Sequence, residues 1–326
     1  MTAEQTTTRG TRMATLRGRV QQLLAFASLV LIFVFFSVAS PNFLTFSNVT
    51  GILLSTAVVG LLALGVTFII ITGGIDLSIG TGMTLVAVMA GVFIVYNGLP
   101  LPLGVALAVL FGAVIGATNG FFVAVLKIPS FIATLAMMMA AEGLALVISN
   151  ARPIYFSNVE GYSHIALGAL IPGVPNAILV FFGMALLGWF ILTKTIIGRY
   201  TFAIGSNEEA TALSGVNVTK WTIIIYSVAG IFTGVAGVVL SSRLNSAQPA
   251  LGMGYELEAI AAVVIGGTSL QGGKGSIIGT VIGALIMGTL INGLRIMSIP
   301  QEWPQLAVGA VILVAVYLDI LRRRRS

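Results

Sequence analysis

The chain has 326 residues, 57% of them hydrophobic and only 8% charged, with a mean hydropathy of +1.07; soluble domains carry roughly 25% charged residues, so a water-soluble fold is excluded. The absence of cysteine excludes disulfides, thiolate chemistry and cysteine metal sites. The net charge of +6 lies in short loops and tails, which membrane orientation explains without nucleic acid.

The expected class is an all-α integral membrane protein. A β-barrel would need strands alternating apolar and polar residues over ~10 positions, and no stretch does this. Apolar runs between turn signals place ten membrane-spanning helices near 22–39, 50–71, 77–96, 101–125, 130–149, 176–194, 219–241, 256–271, 275–294 and 303–321. Arg9, Arg12, Arg17 and Arg19 precede the first run, as in a signal peptide. That run exceeds the usual 7 to 15 residues, and Pro41 follows the one plausible cleavage site, so it is expected to be retained as a span. The expected organisation is an N-terminal tail over 1–21, a transmembrane domain over 22–321 and a basic tail over 322–326.

Ten spans put both termini on one side. With the N-terminus inside, Lys127, Lys194, Arg199, Lys220, Lys274 and the run from Arg322 to Arg325 join the four N-terminal arginines in the cytoplasm. Only Arg152, Arg243 and Arg295 fall outside, a bias of thirteen basic residues against three for this orientation.

Between spans two and three stands GGIDLSIGTG, residues 73–82, and a shift of 193 positions brings it onto GGTSLQGGKG, residues 266–275. Gly73, Gly74, Leu77, Gly80 and Gly82 meet identical residues, the signature of an internal repeat with a bend in each copy. Gly112, Gly116 and Gly120 on span four, and Gly275, Gly279 and Gly283 on span nine, recur at four-residue spacing and predict close helix packing. The loop over 150–175 holds His164, the only histidine, which has no metal-ligand partner in sequence and receives no chemistry.

Acidic and amide side chains inside spans call for an account, because a charge in mid-bilayer costs roughly 2.5 to 3.5 kcal/mol. Asp76 can cap span three or line a pathway, and Glu142, Asn119 and Asn292 can line a pathway or tie helices together. Glu256 and Glu258, at the start of span eight, are expected to be wet or paired. GGTSLQGGKGS superficially matches a phosphate-binding loop, but Thr268 stands where the first glycine is needed and Gly275 follows Lys274. The chain is therefore expected to bind no nucleotide and to carry no catalytic or metal site.

The polar island over 198–221 contains a second helix signal. Ser206 and Glu209 have capping-box spacing, Glu208 and Glu209 suit a helix N-terminus, and Gly215 suits a left-handed stop. A helix of about eight residues is expected over 206–215, with Ala210, Leu213 and Val216 as an apolar stripe. Helices shorter than ~12 residues are marginal alone, so the stripe is expected to dock on another protein.

The blocks GGIDLSIG, GRYTFAIGSNEEATALSGVNV, YELEAIAAVVIGGTSLQGGKGS and GALIMGTLINGL, in that order, resemble the membrane-spanning permease of ribose-type ABC sugar importers over roughly 20–321. The resemblance implies that Gly205, Ser206, Asn207, Glu208, Glu209, Ala210, Leu213 and Gly215 belong to the coupling helix seated in an ATP-binding subunit. It also implies a permease homodimer in the bacterial inner membrane, a periplasmic sugar-binding protein on the opposite face, and ATP and Mg bound only by the partner subunit. Ser206 stands where the family often has glycine. Three other readings remain: a proton-coupled secondary transporter relaying through Asp76 and Glu142, an ABC permease for a nucleoside or branched-chain amino acid, and a structural membrane scaffold.

Overall fold

The structure, a computed structural model, describes residues 23–300 and 302–324; the N-terminal tail with its four arginines and Arg325 of the basic tail lie outside the described residues. The chain folds as α1 (Leu23–Ala39), α2 (Phe46–Ile71), α3 (Ile79–Gly91, continued by a π turn to Tyr96), α4 (Leu101–Ala124) and α5 (Ser130–Ser149). A short strand β1 (Ile154–Tyr155) and α6 (His164–Leu167) come next, then α7 (Asn176–Lys194), α8 (Ile196–Ser206), α9 (Glu208–Leu213) and α10 (Val218–Leu244). Strand β2 (Ser246–Ala247), α11 (Tyr255–Ile265), α12 (Ile277–Ile296) and α13 (Glu302–Arg324) complete it.

Seven of these helices, α2, α3 with its π turn, α4, α5, α7, α10 and α12, are long and apolar enough to cross a membrane. The centre of the fold is α2, the most apolar of the seven and buried along most of its length. Its core cluster is closed by Phe181 of α7, Phe232 of α10, Ala259 and Val263 of α11, and Ala284 and Met287 of α12. A second cluster forms where α3 and α4 meet the 150–167 region, through Ile94, Ala108, Phe156 and Tyr162. By contrast, α4 and α5 turn most of their residues outward.

Glycine sets the helix spacing. Gly116 of α4 lies against the Tyr226 carbonyl of α10, and a Cβ on Gly120 would stand 2.8 Å from the Ile223 Cα. With little hydrophobic drive between helices in lipid, such close backbone approach is what holds them together. Gly279 and Gly283 of α12 face Gly266 and Ala262 in the same way, so α11 runs antiparallel to α12. Gly275 is not part of this stripe: it precedes α12 and abuts the Ile71 side chain.

The eighth expected span, 256–271, is corrected to the eleven residues of α11. It ends where Gly267 adopts φ 93, with the Gly267 N–H donating to the Val264 carbonyl and the Thr268 N–H to the Val263 carbonyl. This is a Schellman stop. The end of α2 is built identically: Gly73 has φ 84 and donates to Ile70, and Gly74 donates to Ile69. Both glycine-rich stretches bend, but Gly73 corresponds in backbone to Gly267, one residue off the register that best matches the letters.

The 150–175 connection is tied down at the end of the molecule opposite α8 and α9. Strand β1 pairs antiparallel with β2, Ile154 opposite Ala247. Tyr162 stacks on Phe156 at 3.8 Å and bonds Ser241 of α10 at 2.6 Å. Burial raises the Tyr162 phenol pKa, so the ring stays neutral.

Candidate functional site

The polar island forms two helices, not one. Gly198 sits against the Leu192 carbonyl and opens α8, which buries Thr201 and Ile204 and extends to Ser206. Ser206 is therefore the last residue of α8 and does not cap α9. The cap is Asn207, extended at φ −165, whose Oδ1 accepts the Ala210 N–H at 2.8 Å. The sequence pattern misled because the capping box scores Ser206 with Glu209, while the chain adds one more helical residue and passes the role to the next side chain that can perform it. The helix α9 spans six residues, with Glu208 and Glu209 in its first turn, where a helix dipole favours carboxylates.

As expected, Gly215 ends α9 with φ 83: the Gly215 N–H bonds the Ala212 carbonyl and the Val216 N–H bonds the Thr211 carbonyl. Thr211 is the one buried residue of α9, and Leu213 is 90% exposed. Glu208 lies 3.8 Å from Lys127 of the α4–α5 connection, with both side chains largely exposed; such a pair contributes little, ~0–1 kcal/mol. The short helix thus presents Ala210 and Leu213 outward with no partner among the described residues.

A second site lies inside the fold, where residues 74–78 run without helix between α2 and α3. Lipid offers no partner for such backbone, so the protein must supply one. The Ile75 N–H donates to Ser130 Oγ and the Leu77 N–H to Thr134 Oγ1, each at 3.1 Å, and Thr134 returns a bond to the Ile75 carbonyl. Asp76, 3% exposed, accepts the Ser78 N–H at 2.8 Å and the Ser78 hydroxyl at 2.6 Å. Asn119 of α4 donates to Ser78 Oγ at 2.8 Å and approaches Asp76 Oδ2 at 3.5 Å, while its Oδ1 is buried without a partner. The structure thus brings Asp76 and Asn119 together.

Glu256 lies close by, and here the structure corrects the expectation of a wet or paired group. Its carboxylate is buried and accepts the Gly254 N–H at 3.0 and 3.1 Å, just ahead of α11. Gly80, near the start of α3, touches both Gly252 and the Glu256 carboxylate. Two interrupted elements therefore meet by their helix N-termini, each with a buried carboxylate that accepts a backbone N–H at its helix start. α11 is ~16 Å long, about half a hydrocarbon core, so this meeting point stands well inside the fold.

Glu142 and Asn292 are not part of this cluster. Glu142 is two turns beyond Thr134 on α5, ~12 Å along the axis, on a half-exposed face. Asn292 is on α12, its Oδ1 buried and unpartnered. The hydroxyls of Ser130 and Thr134 were missed from sequence; their only signal was one-turn spacing directly after Pro129. His164 starts α6, and no group of three or more candidate metal ligands exists among the described residues.

A bundle of apolar helices with interrupted elements meeting inside it, and a short capped helix left bare at one end, defines a polytopic permease. The chain belongs to the family described as branched-chain amino acid transport system / permease component, whose model matches residues 48–316. It is 43% identical over 318 residues to the ribose import permease protein of Escherichia coli K12, covering 96% of this chain and 98% of the relative. The ribose import permease protein of Bacillus subtilis is 42% identical, covering 93% and 94%. The xylose transport system permease protein of Escherichia coli K12 is 35% identical, covering 94% and 93%. No solved structure matches the chain.

Proposed function

We propose that this chain is the membrane-spanning subunit of an ATP-driven importer for a monosaccharide of the ribose or xylose type. The observation that carries the mechanism is α9: a six-residue helix, capped at both ends, that holds Leu213 almost wholly in solvent. An isolated helix of this length is unstable, and burying its exposed leucine in a partner's pocket would be favourable. The cargo class comes from the relatives, which match nearly end to end and are named for ribose and xylose. The family description names branched-chain amino acid transport, so a branched-chain amino acid is the competing cargo, with a nucleoside as the other alternative.

In this reading ten helices cross the bacterial inner membrane with both termini and α9 in the cytoplasm, and α11 crosses only together with the non-helical chain before it. Two copies form the permease, a cytoplasmic ATP-hydrolysing subunit binds ATP and Mg and seats α9, and a periplasmic sugar-binding protein docks on the other face. The coupling set is Gly205, Ser206, Asn207, Glu208, Glu209, Ala210, Leu213 and Gly215. Asp76, Asn119, Glu142 and Asn292 are the polar residues assigned to the solute path. A ligand shifts such an equilibrium only through its different affinity for the two states, so the binding protein drives import by favouring the outward-open one.

A proton relay through Asp76 and Glu142 finds little support, since Asp76 is bonded to Ser78 and approached by Asn119 while Glu142 stands on another face of α5. The test is uptake into proteoliposomes holding the permease, its ATPase and its binding protein. Ribose or xylose uptake that requires ATP and survives a protonophore supports the proposal; uptake that ignores ATP and collapses with the protonophore refutes it. Uptake of leucine or a nucleoside in place of either sugar overturns the cargo assignment alone.

A further inference from the structure

Three stretches that lie far apart in sequence converge at one point: the end of α2, the end of α8 and the turn between α11 and α12. The Gly273 N–H donates to the Ile71 carbonyl at 2.8 Å. A Cβ on Gly205 would overlap that same carbonyl and stand 2.7 Å from Gly273 N. A Cβ on Gly272 would stand 2.8 Å from the Gly205 carbonyl oxygen, 2.9 Å from Gly73 N and 3.0 Å from the Ile71 carbonyl oxygen. One on Gly273 would lie 3.0 Å from Ser206 Oγ. At Gly205 and Gly272 the neighbours are all backbone atoms, and Gly273 adds the Ser206 hydroxyl.

From this geometry we infer that movement of α9 reaches the permease interior through Gly205, Gly272 and Gly273, as a rigid backbone contact on the end of α2, and not by tilting α7 and α10. This rests on the docking reading of α9 given above. Side-chain contacts absorb small displacements by changing rotamer, whereas close-packed backbone has no such slack. One residue, Asn207, separates α8 from α9, and its side chain is already committed to the α9 cap. The other connection, toward α10, is looser: Gly215 has nothing within 4 Å of its Cβ position, and Ser214, Gly215 and Asn217 are exposed. A push on α9 is therefore delivered mainly at Gly205.

The surroundings of Gly205 make the contact useful. Ile71 ends α2 just before the non-helical 74–78 segment with Asp76, and Gly272 and Gly273 belong to the turn that joins α11 to α12. Thr67 and Thr280 bond each other at 2.7 Å, about one turn deeper, so α2 and α12 are tied at both levels. Displacing this point moves together the two interrupted elements whose N-termini meet at Gly80 and Gly252. Gly205, Gly272 and Gly273 are thus positioning residues for transport.

The test uses the whole permease with its cognate ATPase and binding protein in proteoliposomes. In Gly272→Ala, outside the docking set, the added methyl meets the Gly205 and Ile71 carbonyl oxygens and wedges the contact apart: import should fall roughly tenfold or more, within the usual span of coupling effects, while the ATPase still co-purifies and hydrolyses ATP. Import at the wild-type rate in Gly272→Ala overturns the inference. Because the chain has no cysteine, the pair Ser206→Cys and Gly273→Cys supplies an independent variant with its own reduced control. The two positions are near enough for a disulfide, and a rigid contact predicts equal import when oxidised and reduced. Import lost on oxidation and regained on reduction shows that the segments separate during the cycle, which also overturns the inference. Failure of the docking reading is seen earlier and separately, as a wild-type permease that does not hold the ATPase.

Discussion

Replacing Leu213 by alanine tests whether α9 is an anchor, and the size of the effect can be worked from its exposure. The side chain is 90% exposed, so its removal takes almost nothing from the fold, and stability should change by less than about 0.5 kcal/mol. Seated in a partner's groove, the same side chain would be fully buried, worth ~1.5 to 3 kcal/mol. At 1.4 kcal/mol per factor of ten, that is a loss of roughly 10- to 150-fold in affinity for the ATP-hydrolysing subunit at each α9. The assay is titration of nanodisc-held permease with the ATPase, alongside thermal unfolding of the permease alone. Unchanged affinity with an unchanged melting temperature would show that Leu213 meets solvent in the assembled importer too, and the docking reading would fall.

The cap can be checked the same way. Asn207→Ala should cost α9 about 1 kcal/mol and lower ATPase affinity, while Ser206→Ala should have little effect on either; the reverse pattern would restore Ser206 as the cap. Gly116→Val should disrupt folding, read as loss of monodisperse protein in detergent, because the new side chain meets the Tyr226 carbonyl; Gly143→Val, with nothing within 4 Å, should elute normally. Asp76→Ala leaves the Ser78 N–H and hydroxyl without their acceptor and should lower stability by roughly 1 to 3 kcal/mol, whereas Asp76→Asn keeps one acceptor and should cost less. Equal melting temperatures for the two Asp76 variants would show that the carboxylate does not hold the 74–78 segment.

Much of this architecture was legible because membrane helices announce themselves by length. The seven long spans fall where apolar runs predicted them, and the α4 glycines face α10 as four-residue spacing requires. What the letters hid was interruption. Residues 256–271 are apolar enough to read as a full span, yet Gly267 stops α11 at Ile265, and hydropathy does not register a left-handed turn. The Ser206 cap failed for a related reason: Ser206 and Asn207 are both good caps, and the choice depends on how far α8 extends, which is fixed by Gly198 and Ile204 packing into the bundle. Glu256 reads from sequence as wet or paired because its neighbour Gly80 is 176 positions away in the chain. Contacts of that kind have no local signature.

The placement of α2 bears on how the molecule is made. The most apolar of the seven long helices hardly touches the surroundings its composition suits, because α7, α10, α11 and α12 enclose it. All four enclosing helices are later in the chain, so the ribosome releases α2 before any of them exists, and until then lipid covers most of it, with α1 against its start at Ile52. Its greasiness therefore serves the nascent chain more than the finished bundle. A polar substitution on α2 is expected to do its damage during biogenesis, as lost insertion, even at a position where the completed structure would supply a partner.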